Sequence, residues 1–206
     1  MRNAILLLTM LVLAWFAAGP LYMLAKAELA QVLLANAWDK TLSNYAKQKP
    51  WYWADTFPVA KLGFSHTGEE YIVLAGGDGR TMAFGPGWLQ HTAPPNHHGN
   101  TVVTAHNDTH FSGLENIEVG DVVSLEDKMR VKVRYQVQEI TVVDELDESF
   151  LHATNAMQLT LITCYPFTMG GDRKDKRLVV VADVIASQDE QYSWGASGFI
   201  KKKWKI

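Results

Sequence analysis

The stretch TLITCYPFTMGGDRKDKR, residues 160–177, decides the fold and contains the only cysteine of the 206-residue chain. Its first five residues are rich in β-branched side chains and predict a strand in which Thr160, Ile162 and Cys164 share one face. Residues 165–176 contain a proline, two glycines and five charged side chains, a composition that is typical of a loop.

A second strand is predicted at 177–182, RLVVVA, and it is expected to lie deep in the structure because residues 178–182 are apolar on both faces. If the two strands pair antiparallel, Cys164 and Arg177 lie opposite each other at one rim of the sheet, about 5 Å apart. A thiol beside a guanidinium is typical of a reaction centre, because the thiolate attacks a carbonyl and the cation stabilises the developing oxyanion. A lone cysteine without such a neighbour is more often a small buried hydrophobic residue.

The composition excludes several classes of protein. A formal net charge of −3 with 20% charged residues gives no large basic surface, so nucleic-acid binding is not indicated. One cysteine excludes an internal disulfide and a metal site made of several thiolates. The histidine pair 97–98 has no carboxylate spaced to complete a metal site, and no metal or other cofactor is expected.

The N-terminal region is predicted to be a membrane anchor. Residues 4–25 carry no charge, and as an α-helix they would be about 33 Å long, enough to cross a bilayer core. A helical pattern over 28–49 is expected to continue this segment, so 1–49 is assigned to the anchor and a juxtamembrane helix. Arg2 favours an N-terminus inside the cell. The alternative is a signal peptide cleaved at the A-x-A sequence 25–27, and both interpretations place the remaining chain outside the cytoplasm.

Short strands separated by turn-forming residues are predicted over the rest of the chain. Their spacing indicates a mainly β domain at 50–188, with a closed or nearly closed barrel. The strands before the quoted stretch are predicted at 59–62, 70–75, 81–84, 101–105, 121–126 and 131–143. The last of them alternates apolar and polar residues, which is expected of a strand with one face in water. Residues 189–206 are predicted to be a basic C-terminal tail.

Seven histidines compete as the acid or base that Cys164 would need. His106 directly follows the predicted strand 101–105, just as Cys164 ends its own strand, so the two are expected to meet at one rim. His110, in the turn four residues later, is the second candidate, and its other interpretation is a hydrogen-bonded turn residue. The other five lie in polar connections and are given no catalytic role: His66, His91, His97, His98 and His152.

These motifs resemble those of the sortase family of cysteine transpeptidases. The resemblance covers about 50–184 and rests on the TLITC strand ending at Cys164, an arginine thirteen residues later, and the segment HNDTHF at 106–111. It is closest to the sortases of Gram-negative bacteria. Two positions depart from the family pattern: glycine is usual where this chain has Ala105, and arginine is frequent where it has Asn107.

The resemblance implies a closed eight-stranded β barrel behind a transmembrane helix. It implies that Cys164 is the nucleophile, His106 the acid and base, and Arg177 the clamp for the oxyanion and the substrate. The implied reaction cleaves an LPXTG-like C-terminal sorting motif of an exported protein through a thioacyl-enzyme and transfers the acyl group to an amine acceptor. The implied location is the bacterial inner membrane, with the catalytic domain facing the periplasm.

Two alternatives stay open at this point. One is a non-catalytic, membrane-tethered barrel that binds peptides and holds Cys164 buried and inert. The other is a cysteine hydrolase that releases its acyl group to water, since water and an amine would react with the same acyl-enzyme.

Overall fold

The computed structural model describes residues 2–167 and 175–185, without the side chains of most residues before 25. This part of the chain forms a long N-terminal helix and a closed barrel of eight strands, which confirms the predicted mainly β fold. The predicted basic tail, 189–206, lies outside the described residues.

The helices and strands are defined as follows. Helix α1 spans Arg2–Asn44, and the four-residue helix α2 spans Gly79–Met82. The strands in chain order are β1 Pro58–Phe64, β2 Glu70–Ala75, β3 Gly87–Trp88, β4 Gly99–Thr104, β5 Val122–Asp127, β6 Lys132–Asp144, β7 Met157–Tyr165 and β8 Lys176–Val184. Two 3-10 turns, Ser112–Asn116 and Ser149–Leu151, lie in the β4–β5 and β6–β7 connections.

The strand order around the barrel is β1-β2-β3-β4-β7-β8-β6-β5, and pairing of β5 with β1 closes it. The pairs β2–β3 and β4–β7 are parallel, and the other pairs are antiparallel. Strand β8 lies between β7 and β6, and its central residues are mostly buried. The prediction that the apolar strand is an interior one is therefore confirmed.

Alternating side chains of the strands fill the barrel. On β6 the side chains of Tyr135 and Val137 are buried while Arg134 and Gln136 are exposed, which confirms the predicted alternation. The Tyr135 hydroxyl donates a hydrogen bond to Oδ1 of Asn96, 3.0 Å away, so this polar group has a partner within the core. Burial and the nearby Asp127 carboxylate raise the pKa of Tyr135, which keeps its proton available for that bond.

The predicted strand at 81–84 is wrong, because this segment begins within α2. The carboxylate of Asp78 accepts hydrogen bonds from the backbone N–H groups of Arg80 and Thr81 and from the Thr81 hydroxyl. This capping stabilises a helical turn where the sequence pattern favoured an extended chain. The strand that occupies this place in the barrel is the two-residue β3.

Helix α1 runs without a break through the segments predicted as a membrane anchor and a juxtamembrane helix. Its second half packs on β1 and β2 through one buried face, formed by Ala30, Leu34, Ala37, Trp38, Thr41 and Leu42. Among the described residues, no helix combines the length and the apolar character that crossing a membrane requires. The predicted membrane segment, 4–25, consists mostly of residues whose side chains lie outside the described part.

Candidate active site

Cys164 and Arg177 are register partners across the antiparallel pair β7–β8, which confirms the predicted juxtaposition. Cys164 is the penultimate residue of β7, and Arg177 is the second residue of β8. Both residues are partly exposed, so the sulfur is not sealed inside the barrel.

Two hydrogen bonds continue the register of the parallel pair β4–β7 beyond the end of β4. The backbone N–H of Ala105 donates to the carbonyl of Ile162 at 3.3 Å, and the buried Thr163 hydroxyl donates to the carbonyl of Ala105 at 2.7 Å. The pairing of β4 with β7 ends at Thr104 and Ile162, and His106 lies two residues beyond Thr104 just as Cys164 lies two residues beyond Ile162. The strands thus bring all three predicted residues to one edge of the barrel.

The loops that follow His106 and Cys164 are tied together by Asn107. This side chain is only 5% exposed, and its amide donates a hydrogen bond to the carbonyl of Pro166 at 2.9 Å. The backbone N–H of Phe111 donates to the carbonyl of His106 at 3.1 Å and closes the turn that follows it. Asn107, which stands where the family often has arginine, therefore has a structural role that the sequence alone does not indicate.

The guanidinium of Arg177 is held by a neighbour that sequence analysis missed. Its Nη2 lies 3.3 Å from Oε2 of Glu145, and its Nη1 donates to the carbonyl of Lys176 at 2.9 Å. Glu145 is itself anchored, because its backbone N–H donates to the carbonyl of Asp175 at 2.9 Å. Pairing of β6 with β8 brings Glu145 to this edge, and that pairing is between strands that are not consecutive in sequence.

His110, the second histidine candidate, lies near His106 but packs against the barrel. Its ring meets the ring of Tyr71 edge-on, with centroids 5.5 Å apart, and its Nδ1 lies 3.4 Å from the Thr109 hydroxyl. Burial, followed by the charge of His106, lowers the pKa of His110. A partly buried ring that favours its neutral form fits a packing role better than that of the acid.

His66 and His97 contact backbone carbonyls of the connections between strands. His66 Nε2 lies 3.3 Å from the carbonyl of Gly113, and His97 Nδ1 lies 2.9 Å from the carbonyl of Pro95. Within 2–167 and 175–185, no cluster of three or more His, Cys, Asp or Glu side chains is arranged to hold a metal ion.

A cavity of about 260 Å³ opens next to the edge that carries the three residues. It is lined mainly by apolar side chains of the barrel and by the segment that follows Cys164, namely Leu114, Glu115, Ile117, Ile140, Tyr165, Pro166, Phe167 and Leu178. A peptide laid along this edge would find both the Cys164 thiol and an apolar recess within a short distance.

Comparison with known proteins points to one family. The family model described as the sortase domain matches residues 62–185, which is more than half of the chain. None of the curated proteins compared with the chain is significantly similar to it.

Solved structures of sortases from several classes share the fold. A pilus-related sortase C of Group B Streptococcus is 26% identical, with 62% of this chain and 67% of that chain covered and a TM-score of 0.57. Sortase A from Corynebacterium diphtheriae is 26% identical, with 68% and 66% covered and a TM-score of 0.58, so the chain spans about two-thirds of the length of these two proteins. The sortase D5 transpeptidase of Clostridium perfringens is 17% identical, with 77% and 99% covered and a TM-score of 0.63, and this likeness concerns the fold alone.

Proposed function

This chain belongs to the sortase family of cysteine transpeptidases, and we propose that it is a membrane-anchored member of the Gram-negative branch. It cleaves an LPXTG-like C-terminal sorting motif of an exported protein and transfers the new acyl end to an amine acceptor. The observation that carries the proposal is the register of Cys164 with Arg177 in the pair β7–β8, supported by the parallel pairing of β4 with β7, which ends two residues before His106 and two residues before Cys164.

The first half of the reaction is acylation. The Cys164 thiolate attacks the scissile carbonyl carbon, and the guanidinium of Arg177 stabilises the negative charge that develops on the carbonyl oxygen. His106, as imidazolium, gives its proton to the leaving amine as the peptide bond breaks. The products are a thioester on Cys164, a free amine and a neutral imidazole.

The second half returns the enzyme to its starting state. The acceptor amine attacks the thioester carbonyl, His106 takes the proton that the amine loses, and the thiolate of Cys164 leaves. One amide is broken and one is made, so no oxidant, reductant or metal enters the balance. If water attacks instead, the product is a carboxylic acid and the protein acts as a hydrolase.

The membrane part of the proposal is supported by the sequence of the anchor. The absence of charge over 4–25 and the unbroken helix through these residues fit a single span, with 50–188 as the catalytic domain in the periplasm. The intact mass of protein recovered from washed bacterial membranes tests this, because an anchor keeps 1–25 and a cleaved signal peptide loses them. Recovery of a shortened chain in the soluble periplasmic fraction would contradict the anchor.

Incubation with peptides tests the chemistry. The full chain is mixed with a peptide containing an LPXTG-like motif, with and without an added amine, and the products are identified by mass. We expect a new amide only with the amine present and a transient acyl adduct on the protein, and we expect neither with Cys164→Ala or with a scrambled peptide.

Other outcomes of the same experiment identify the alternatives. A carboxylic acid product that is unchanged by added amine would assign the protein as a hydrolase. A Cys164 thiol that stays unreactive towards a small alkylating reagent in the native protein, without cleavage of any peptide tried, would favour the non-catalytic peptide-binding barrel.

A further inference from the structure

A second cavity lies away from the candidate active site, between α1 and the barrel. Its volume is about 740 Å³, and its walls come from α1, the segment 51–56 and α2. Helix α1 packs on β1 and β2, whereas Arg177 lies on β8, which is separated from β1 by β5 and β6. The proposed transpeptidation therefore leaves this cavity without a role.

Large aromatic side chains beside the cavity are exposed to solvent. Tyr52 is 93% exposed and Trp53, which lines the cavity, is 76% exposed. On the facing helix, Tyr22 is 63% exposed and carries the ammonium of Lys26 over its ring, 5.6 Å from the centroid. Rings of this amphipathic kind beside a cation are characteristic of the boundary between a bilayer core and water.

The position of the cavity along α1 places it at the depth of the lipid headgroups if residues 4–25 span the bilayer. The helix residues in its wall lie between Lys26 and Leu33, directly after the uncharged segment 4–25. At about 1.5 Å per residue, they extend from roughly 2 to 12 Å beyond the end of that segment. The headgroup layer of one leaflet is roughly 5 to 8 Å thick, so these residues and the facing Trp53 would lie within it or just outside it.

Contacts between the helix and the barrel hold this surface in place. The Gln31 amide donates a hydrogen bond to the carbonyl of Phe84 at 3.0 Å, and the Trp51 ring meets the Phe84 ring edge-on at 4.9 Å. The buried Leu34 and Trp38 fix the next turns of the helix on the barrel. These contacts therefore fix the position of the exposed aromatic side chains along the axis of α1.

The charges at the cavity suit a phosphate-rich surface. Lys26 and exposed Arg80 contribute two cations to the lining, and Asp55 and Asp78 contribute two carboxylates. The Asp78 carboxylate already accepts three hydrogen bonds from Arg80 and Thr81, and these bonds lower its pKa. The ionised carboxylate of Asp78 is thus held at the N-terminus of α2, while the side chains of Lys26 and exposed Arg80 can reach lipid phosphates.

From these observations we propose that the surface formed by Tyr22, Lys26, Tyr52, Trp53 and Arg80 docks on bilayer phospholipid, with the headgroups entering the cavity. This inference rests on the proposed membrane anchor. Docking would place the side of the barrel that carries α1 against the membrane. Cys164 lies on β7, which is not a neighbour of β1 or β2 in the barrel.

Depth-dependent quenching tests the proposal in the full chain. Because Cys164 is the only cysteine, Cys164→Ala provides a background in which Tyr52→Cys places a single fluorophore on the surface. The matched control is Leu146→Cys, which is 88% exposed and follows β6, a strand that pairs with neither β1 nor β2. Each protein is reconstituted into vesicles containing one third phosphatidylglycerol and lipids with a quencher near the headgroup.

We expect strong quenching at position 52 and little at position 146. Arg80→Glu should lower the ratio of docked to undocked domain by more than about fivefold, since the loss of one cation near an anionic surface alone costs about 1 kcal/mol and the new carboxylate adds repulsion. Arg134→Glu, an exposed arginine on β6, should leave the ratio unchanged.

Each contrary result has a distinct meaning. Protein that floats with the vesicles but shows no quenching at position 52 overturns the docking proposal and leaves the anchor intact. A position 52 that is shielded from both lipid quencher and aqueous iodide is covered by protein, either a second copy or a partner, which also overturns lipid docking. Protein that fails to float at all overturns the anchor and the docking proposal together, while the peptide assay of the catalytic proposal is unaffected.

Discussion

The carboxylate of Glu145 lies 3.3 Å from the guanidinium of Arg177 and joins the end of β6 to the start of β8 at the candidate active site. Both side chains are partly exposed, 47% for Glu145 and 26% for Arg177, and an ion pair in such a setting contributes only about 0 to 1 kcal/mol to stability. Its value is geometric, because it fixes the direction in which the guanidinium points.

Loss of this pairing should slow the chemical step. We expect Glu145→Ala to lower kcat roughly threefold to tenfold with little change in KM, because a reoriented guanidinium stabilises the oxyanion less well. Glu145→Gln, which retains an acceptor oxygen, should recover part of the loss. Steady-state kinetics with a sorting peptide provide the measurement, and Glu148→Ala in the same acidic stretch is the matched control. Unchanged kcat in Glu145→Ala would remove Glu145 from any positioning role.

Removal of the guanidinium itself should have a larger effect. We expect Arg177→Ala to reduce kcat roughly 10²- to 10³-fold, the usual cost of one oxyanion donor. The kcat of Arg177→Lys should lie between those of the parent chain and Arg177→Ala, because lysine keeps the charge but loses the planar set of donors. Arg134→Ala, an exposed arginine on β6, serves as the control. A loss of less than about tenfold in Arg177→Ala would contradict the assigned role.

The bond between Asn107 and Pro166 should contribute to both stability and rate. We expect Asn107→Ala to lower the free energy of unfolding by about 1 to 3 kcal/mol, because it removes the donor to the Pro166 carbonyl at a largely buried site. Its kcat should fall as well, since the two loops that position His106 and Cys164 would no longer be tied. Urea unfolding and peptide kinetics measure the two effects. Asn116→Ala, at an exposed asparagine, should change neither.

His110 should make the fold sensitive to mild acid. Burial and the charge of His106 lower the pKa of His110 below its unfolded value of about 6.5. The unfolded chain therefore binds the proton more readily, so the stability contribution is present above pH 6.5 and is lost as the pH falls through the lowered pKa. We expect His110→Gln to lose less free energy of unfolding between pH 7.5 and pH 5 than the parent chain. His91→Gln, an exposed histidine, should follow the parent, and equal pH dependence of all three proteins would refute the assignment.

Local sequence patterns are sufficient to predict that Cys164 lies opposite Arg177, because β7 and β8 are consecutive in the sequence. The alternation in β7, the apolar run in β8 and a single connection between them led directly to Cys164 opposite Arg177. The proximity of His106 to Cys164 is a prediction from the position of both residues at strand ends. The parallel pairing of β4 with β7 favours it, and pairing between distant strands leaves no local signal in one sequence.

Features that depend on single side-chain contacts were not predictable in the same way. The segment 81–84 has a strand-like composition, but the capping by Asp78 at its N-terminal side stabilises a helical turn instead. Glu145 belongs to an acidic stretch that reads as a solvated loop, and only the pairing of β6 with β8 shows that it faces Arg177. Asn107 was noticed as a departure from the family pattern, although its bond to Pro166 requires the folded loops.

The hydrogen bond from Thr163 to Ala105 joins positions 58 residues apart. Contacts of such high sequence separation form late in folding, because the entropy of closing a long loop must be offset first. Under the proposed mechanism, a newly synthesised chain therefore carries the Cys164 thiol without its general acid until this contact has formed. Pulse alkylation of Cys164, the only cysteine, during refolding would follow the formation of that contact.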